Sequence, residues 1–148
     1  MAGREAIYVD ALWVEKAPLE GEPAVAELGC TSAPLLSASF HLSQKCKAYN
    51  EDFLLCKKAN GDPEACLKEG RRVTRCAADF IAALRKNCEK QWDAHWQCLD
   101  AKNQTLHKCR PEEKAFNECV FDKFGLTKTL PTNPGETPVH LKEKPYYS

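Results

Sequence analysis

Nine cysteines and four histidines are the side chains in these 148 residues with the reach of redox, metal or nucleophilic chemistry. A zinc ribbon presents two thiolates from one loop, which takes cysteines about two to four positions apart. The chain contains no Cys-x-x-Cys, no Cys-Pro-Cys and no adjacent Cys-Cys pair such as a copper carrier would use. A thiol oxidoreductase needs a close pair with an altered thiolate, and that pair is missing as well. His41, His95, His107 and His140 are scattered, with no Gly-rich phosphate loop and no Ser/His/Asp grouping beside them. The residues call for no catalytic group, no cofactor and no metal.

What the cysteines do have is a period. "CKAYNEDFLLC" at 46–56, "CLKEGRRVTRC" at 66–76, "CEKQWDAHWQC" at 88–98 and "CRPEEKAFNEC" at 109–119 each hold nine residues between two cysteines. On a helix ten positions rise about 15 Å, whereas a disulfide needs Cα atoms within roughly 7 Å. The two cysteines of one segment therefore cannot bond to each other while the segment is helical. Ten positions are also one heptad plus three, the step from an a to a d position, so both sulfurs lie on one seam. Two antiparallel helices with this step can bond twice, outer to outer and inner to inner. The expected bridges are Cys46–Cys76, Cys56–Cys66, Cys88–Cys119 and Cys98–Cys109.

The remaining seam positions bear on the helical reading. The first segment gives Leu42, Cys46, Tyr49, Phe53 and Cys56, a good apolar run, and the second gives Cys66, Glu69, Val73, Cys76 and Phe80. The third and fourth fit less well: Gln91 and His95 lie on one seam and Glu112 on the other, with Trp92, Trp96 and Leu99 on a neighbouring stripe. His95, Trp92, Trp96 and Phe116 read as core residues, and "KEGRRVTR" as a solvated helix face. The linkers "KKANGDPEA" and "LDAKNQTLHK" are short enough to reverse direction. "AADFIAALRKN", between Cys76 and Cys88, reads as helix instead and adds twelve positions, which turns the second seam about 120° from the first. The hairpins should then face different ways, through a kink near Asn87, the preferred reading, or along one continuous helix.

Punctuation divides the chain into four zones. Residues 1–33 read as an extended arm, residues 34–82 as a first helical hairpin, 83–125 as a second, and 126–148 as a proline-rich extended tail. Pro34 suits a first helical turn. Asp62, Pro63 and Glu64 form a turn and helix start, and Gly125 is placed for a left-handed cap with Leu126 packing back. Gly70 inside a helix costs about 1 kcal/mol against alanine and suggests a close approach there. Tyr146 and Tyr147 are candidates to fix the tail to a partner, and Cys30, outside the repeat, reads as an unpaired thiol. The fold class is all-α: two tandem, disulfide-stapled antiparallel hairpins with extended arms. Each hairpin is small enough to need its staples.

The totals exclude several classes. Lysine plus arginine balance aspartate plus glutamate at 21 each, so no charge excess points to nucleic acid. No apolar run approaches the roughly 20 residues of a transmembrane helix, which leaves at most a peripheral membrane association. The first 28 residues are too acidic for a mitochondrial presequence and lack the basic start and apolar centre of a secretory signal.

Four Cys-x9-Cys segments in two pairs resemble the coiled-coil-helix-coiled-coil-helix (CHCH) domains of the mitochondrial intermembrane space. Such proteins lack a presequence and are trapped there by disulfide formation. Two CHCH domains in tandem, with "FLLCKK", "CLKEGRRVTRCAADF", "CEKQWDAHWQCLD" and "FNECVFDKFGL", are similar to the PGIV-type accessory subunits of respiratory complex I. The likeness covers about residues 34–125, with a proline-rich tail ending in aromatics beyond it, and does not extend to residues 1–33. It implies a non-catalytic subunit, peripheral on the intermembrane-space side of the inner membrane, contacting other complex I subunits and clamping the membrane arm near the quinone-binding heel. The wider twin Cys-x9-Cys class leaves a second expectation open, a soluble assembly factor or metallochaperone of the same compartment.

Overall fold

The computed structural model describes residues 8–9, 12–13 and 27–142 of the chain. Within the expected arm, β1 (Tyr8–Val9) and β2 (Leu12–Trp13) form a two-residue antiparallel pair, Tyr8 opposite Trp13 and Val9 opposite Leu12. Four helices make up the body: α1 (Ser32–Lys45), α2 (Lys47–Ala59), α3 (Leu67–Ala101) and α4 (Arg110–Phe124). Single 3-10 turns precede α3 at Pro63–Cys66 and α4 at Leu106–Cys109. Tyr146 and Tyr147 lie outside the described residues.

Local chemistry sets the boundaries. The Asp62 carboxylate accepts the Glu64 backbone N–H at 3.0 Å with Pro63 at the first helical position, which starts the helical path towards α3. Gly125 takes φ 67°, its N–H donates to the Phe121 carbonyl at 2.9 Å, and Leu126 packs back on the core. The turn between α3 and α4 instead places Asn103 (φ 53°) and Gln104 (φ 55°) in the left-handed region, a strain of about 1 kcal/mol or more each. A 2.6 Å bond from the Gln104 N–H to the Leu99 carbonyl holds that turn.

Helix α3 bends where the hairpins change over. Cys88 leaves helical geometry (φ −132°, ψ 26°), one position after the Asn87 expected from the sequence. The Asn87 side chain donates to the Ala83 carbonyl at 2.8 Å, a side chain competing for a backbone acceptor four residues back. The first half of α3 pairs with α2 and the second half with α4.

Segment 34–45 behaves differently from the hairpin in which the sequence reading places it. Helix α1 breaks from α2 at Cys46, packs along α3 and reaches α4 through His41. Its inward stripe is Ala33, Pro34, Ser37, Ala38 and His41, small or polar residues that allow close approach. The core is thus a three-helix junction: Ala38 from α1, Phe80, Ile81, Leu84 and Trp92 from α3, Phe116 and Val120 from α4. Beyond α4, residues 126–138 are non-helical. The chain then turns at Gly135 (φ 80°) and forms a 3-10 turn at Val139–Leu141, so the tail folds back as a loop and does not run straight.

Candidate functional site

Four disulfides join the helices: Cys46–Cys76, Cys56–Cys66, Cys88–Cys119 and Cys98–Cys109, with Cα separations of 5.9–6.0 Å. Their placement has a rule that spacing did not reveal. The first cysteine of each segment, Cys46, Cys66, Cys88 and Cys109, stands where a helix starts or bends, with φ between −132° and −103° and ψ between 17° and 33°. All four are at most 1 % exposed. The second cysteines, Cys56, Cys76, Cys98 and Cys119, sit within helices and are half-buried. Each bridge therefore ties a buried joint to the flank of a neighbouring rod. Cys30 is unbridged and half-buried, with Arg85 Nη2 3.8 Å from its sulfur.

Burial inverts the ranking by seam pattern. The best-fitting first segment forms α2, which buries no residue, and Tyr49 on its seam is 46 % exposed. The poorly fitting third and fourth segments hold Trp92, His95 and Phe116, with Leu99 and Val120 just past their ends, each at most 2 % exposed. The displaced stripe is not a defect. Trp92 on it bonds to α1, a third helix that a two-helix seam leaves out of account.

That third interface is polar at its centre. Ser37 Oγ and His95 Nδ1 share a 2.7 Å hydrogen bond, and His41 Nε2–H donates to Asn117 Oδ1 at 2.9 Å. The two imidazoles enclose Phe116, His95 stacked at 5.8 Å and His41 edge-on at 5.4 Å. Burial holds both histidines neutral: it lowers His95 to about 4 and pushes His41 down as well. Around them Trp92 Nε1–H donates to the Pro34 carbonyl at 3.3 Å, and the Gln104 amide donates to Ser32 Oγ at 2.7 Å.

A buried ion cluster fixes the tail. Glu113, 2 % exposed, accepts from Lys128 Nζ on one carboxylate oxygen and from Arg110 Nη1 on the other. Burial raises the Glu113 carboxyl, but the two cations outweigh it and the net displacement is downward. Lys128 Nζ also stands 3.9 Å from the Phe40 ring centroid, and Gln44 donates to the Thr127 carbonyl at 2.5 Å. Nothing local in the sequence marks Glu113 as buried, since its partner Lys128 lies fifteen positions away and beyond the helix end. Among the described residues, Cys98, Cys109 and Glu112 are near enough to one another to hold a metal, but the two sulfurs are bonded to each other.

Paired helices closed by twin bridges, twice over, define a tandem CHCH protein. No family model matches the chain. Over its whole length it is 44 % identical to the NADH-ubiquinone oxidoreductase 20.8 kDa subunit of Neurospora crassa, of which it covers 83 %. Over 60 % of its length it is 38 % identical to NADH dehydrogenase [ubiquinone] 1 alpha subcomplex subunit 8-A of Arabidopsis thaliana, covering 82 % of that protein. Subunit 8 of Dictyostelium discoideum is 34 % identical over 68 % of this chain and 96 % of its own. The chain belongs to the family of NADH:ubiquinone oxidoreductase alpha-subcomplex subunit 8. The Neurospora alignment also takes in residues 1–33, which the cysteine motifs leave out.

Proposed function

We propose that the chain is a non-catalytic accessory subunit of mitochondrial respiratory complex I. In this reading it is peripheral on the intermembrane-space face, contacts other subunits of the complex and braces the membrane arm during assembly. The observation that carries the proposal is the full-length likeness to a protein named as a subunit of the enzyme, in a chain held by four bridges. Disulfides persist in oxidising compartments, and the intermembrane space is the oxidising side of the inner membrane. No helix among the described residues is long and apolar enough to cross a membrane, in keeping with attachment through protein contacts.

Native electrophoresis of mitochondrial membranes tests the reading. The chain should co-migrate with intact complex I, its loss should deplete that band, and protease should reach it once the outer membrane is opened. Migration only as a free small protein would refute the subunit role. Protection in opened mitochondria would refute the assigned face.

A further inference from the structure

A trough of about 520 Å³ runs between the outer face of α4 and the folded-back tail. Its apolar floor joins residues distant in sequence: Pro111 and Phe121 from α4, and Leu141 from the 3-10 turn of the tail. Phe121 is 61 % exposed and Leu141 62 %, so two large apolar side chains converge with no cover from this chain's described residues. Singly exposed apolar residues are ordinary, whereas two facing one concave surface offer an apolar side chain a place to be covered.

The trough is built in advance. Its inner wall is the buried cluster of Lys128, Glu113 and Arg110. Its outer wall is held by Lys142 Nζ on Glu136 Oε1 at 3.1 Å and by the Leu141 N–H on the Pro138 carbonyl at 2.9 Å. Binding there needs little ordering of the receptor.

Charge selects the occupant. Arg110, Lys114, Lys128 and Lys142 line the trough against Glu113 and Glu118, four cations to two carboxylates. Counting Glu136, which holds Lys142 from outside, one positive charge still remains. His140 Nδ1, also on the lining, is buried without a hydrogen-bond partner among the described residues. From this geometry we infer that the α4–tail trough docks a segment of another protein chain, presenting a large apolar side chain flanked by a carboxylate. The apolar side chain covers Phe121 and Leu141, and the carboxylate meets Lys114. The inference rests on the subunit reading above and names one of its contact faces.

The test uses the full-length chain in cells lacking the endogenous copy. Phe121→Glu and Leu141→Glu should each lower incorporation into complex I about tenfold, Lys114→Glu should lower it several-fold, and Lys114→Arg should preserve it. Unchanged melting of the purified variants separates docking from folding, as both apolar side chains are exposed. A benzophenone photocrosslinker at Lys114 in the assembled complex should join a peptide of a different protein, with Asp or Glu within two residues of a large apolar residue. A wild-type chain absent from the complex would sink the subunit reading. A wild-type chain that incorporates while Phe121→Glu incorporates equally, or an adduct with lipid or a second copy, would overturn the trough assignment alone.

Discussion

In the first hairpin, α2 buries none of its thirteen residues. In the second, α4 buries Phe116 and Val120 in the core shared with α3 and α1, and Glu113 against the tail. Both carry the same pair of bridges at nearly the same loop lengths, 30 and 10 residues against 31 and 11. The covalent term is therefore shared, about 2–4 kcal/mol per bridge from restricting the unfolded chain. What differs is apolar burial, and α1 makes the difference. The same cysteine frame is a reinforcement in one place and the main support in the other. Leu54 and Leu55, 65 % and 64 % exposed on α2, show how little of the first hairpin is core.

Core truncation should separate the two most sharply. Phe116→Ala removes a fully buried ring and should cost about 3–5 kcal/mol in urea unfolding with disulfides intact. Tyr49→Ala, half exposed on α2, should cost under about 1 kcal/mol. Equal losses would abolish the distinction. Removing bridges should reverse the order of sensitivity. Cys46→Ala with Cys76→Ala should leave α2 amides exchanging as in an open chain, whereas Cys88→Ala with Cys119→Ala should leave α4 helical and slowly exchanging. Hydrogen exchange by mass spectrometry reads both.

Acid should act where α1 meets the second hairpin. His41 and His95 have folded values below the ordinary 6.5, so the unfolded chain takes up protons first. Their contribution is complete above pH 6.5 and declines as pH falls below it; for His95 the loss runs down towards pH 4 and reaches at most about 3 kcal/mol. Glu113, held down by its two cations, begins to add to the loss below its ordinary 4.5. His95→Gln should flatten the melting-temperature profile between pH 6.5 and 4.5; a slope unchanged by that substitution would place the titration elsewhere. The smallest effect belongs to Gly70, where an added Cβ would lie 3.4 Å from the Phe53 ring in ordinary contact. Gly70→Ala should stabilise the first hairpin by about 0.5–1 kcal/mol in the same urea titration.

Much of this frame is legible in the residues. The Cys-x9-Cys step encodes antiparallel pairing, Asp62-Pro63 encodes a start, Gly125 a stop, and the twelve-residue offset at Cys88 a change of direction. What resists reading is α1. Its contact stripe of Ala33, Ser37, Ala38 and His41 lacks the apolar signal of an amphipathic helix. Its counterparts, His95 and Asn117, are polar residues that look misplaced until their hydrogen bonds to Ser37 and His41 are seen. The one signal on offer was the match itself, small and polar positions at helical spacing facing polar positions on a distant seam. Glu113 and Lys128 are hidden for the same reason, because a salt bridge between a helix and a tail has no period.

The coincidence of joints and sulfurs has a consequence for how the shape arises. At Cys46, Cys66, Cys88 and Cys109 the crosslink lands on the residue where a rod begins or changes course. Oxidation thus latches the elbows of the chain as well as its length, and each thiol pair that closes commits one corner of the final outline.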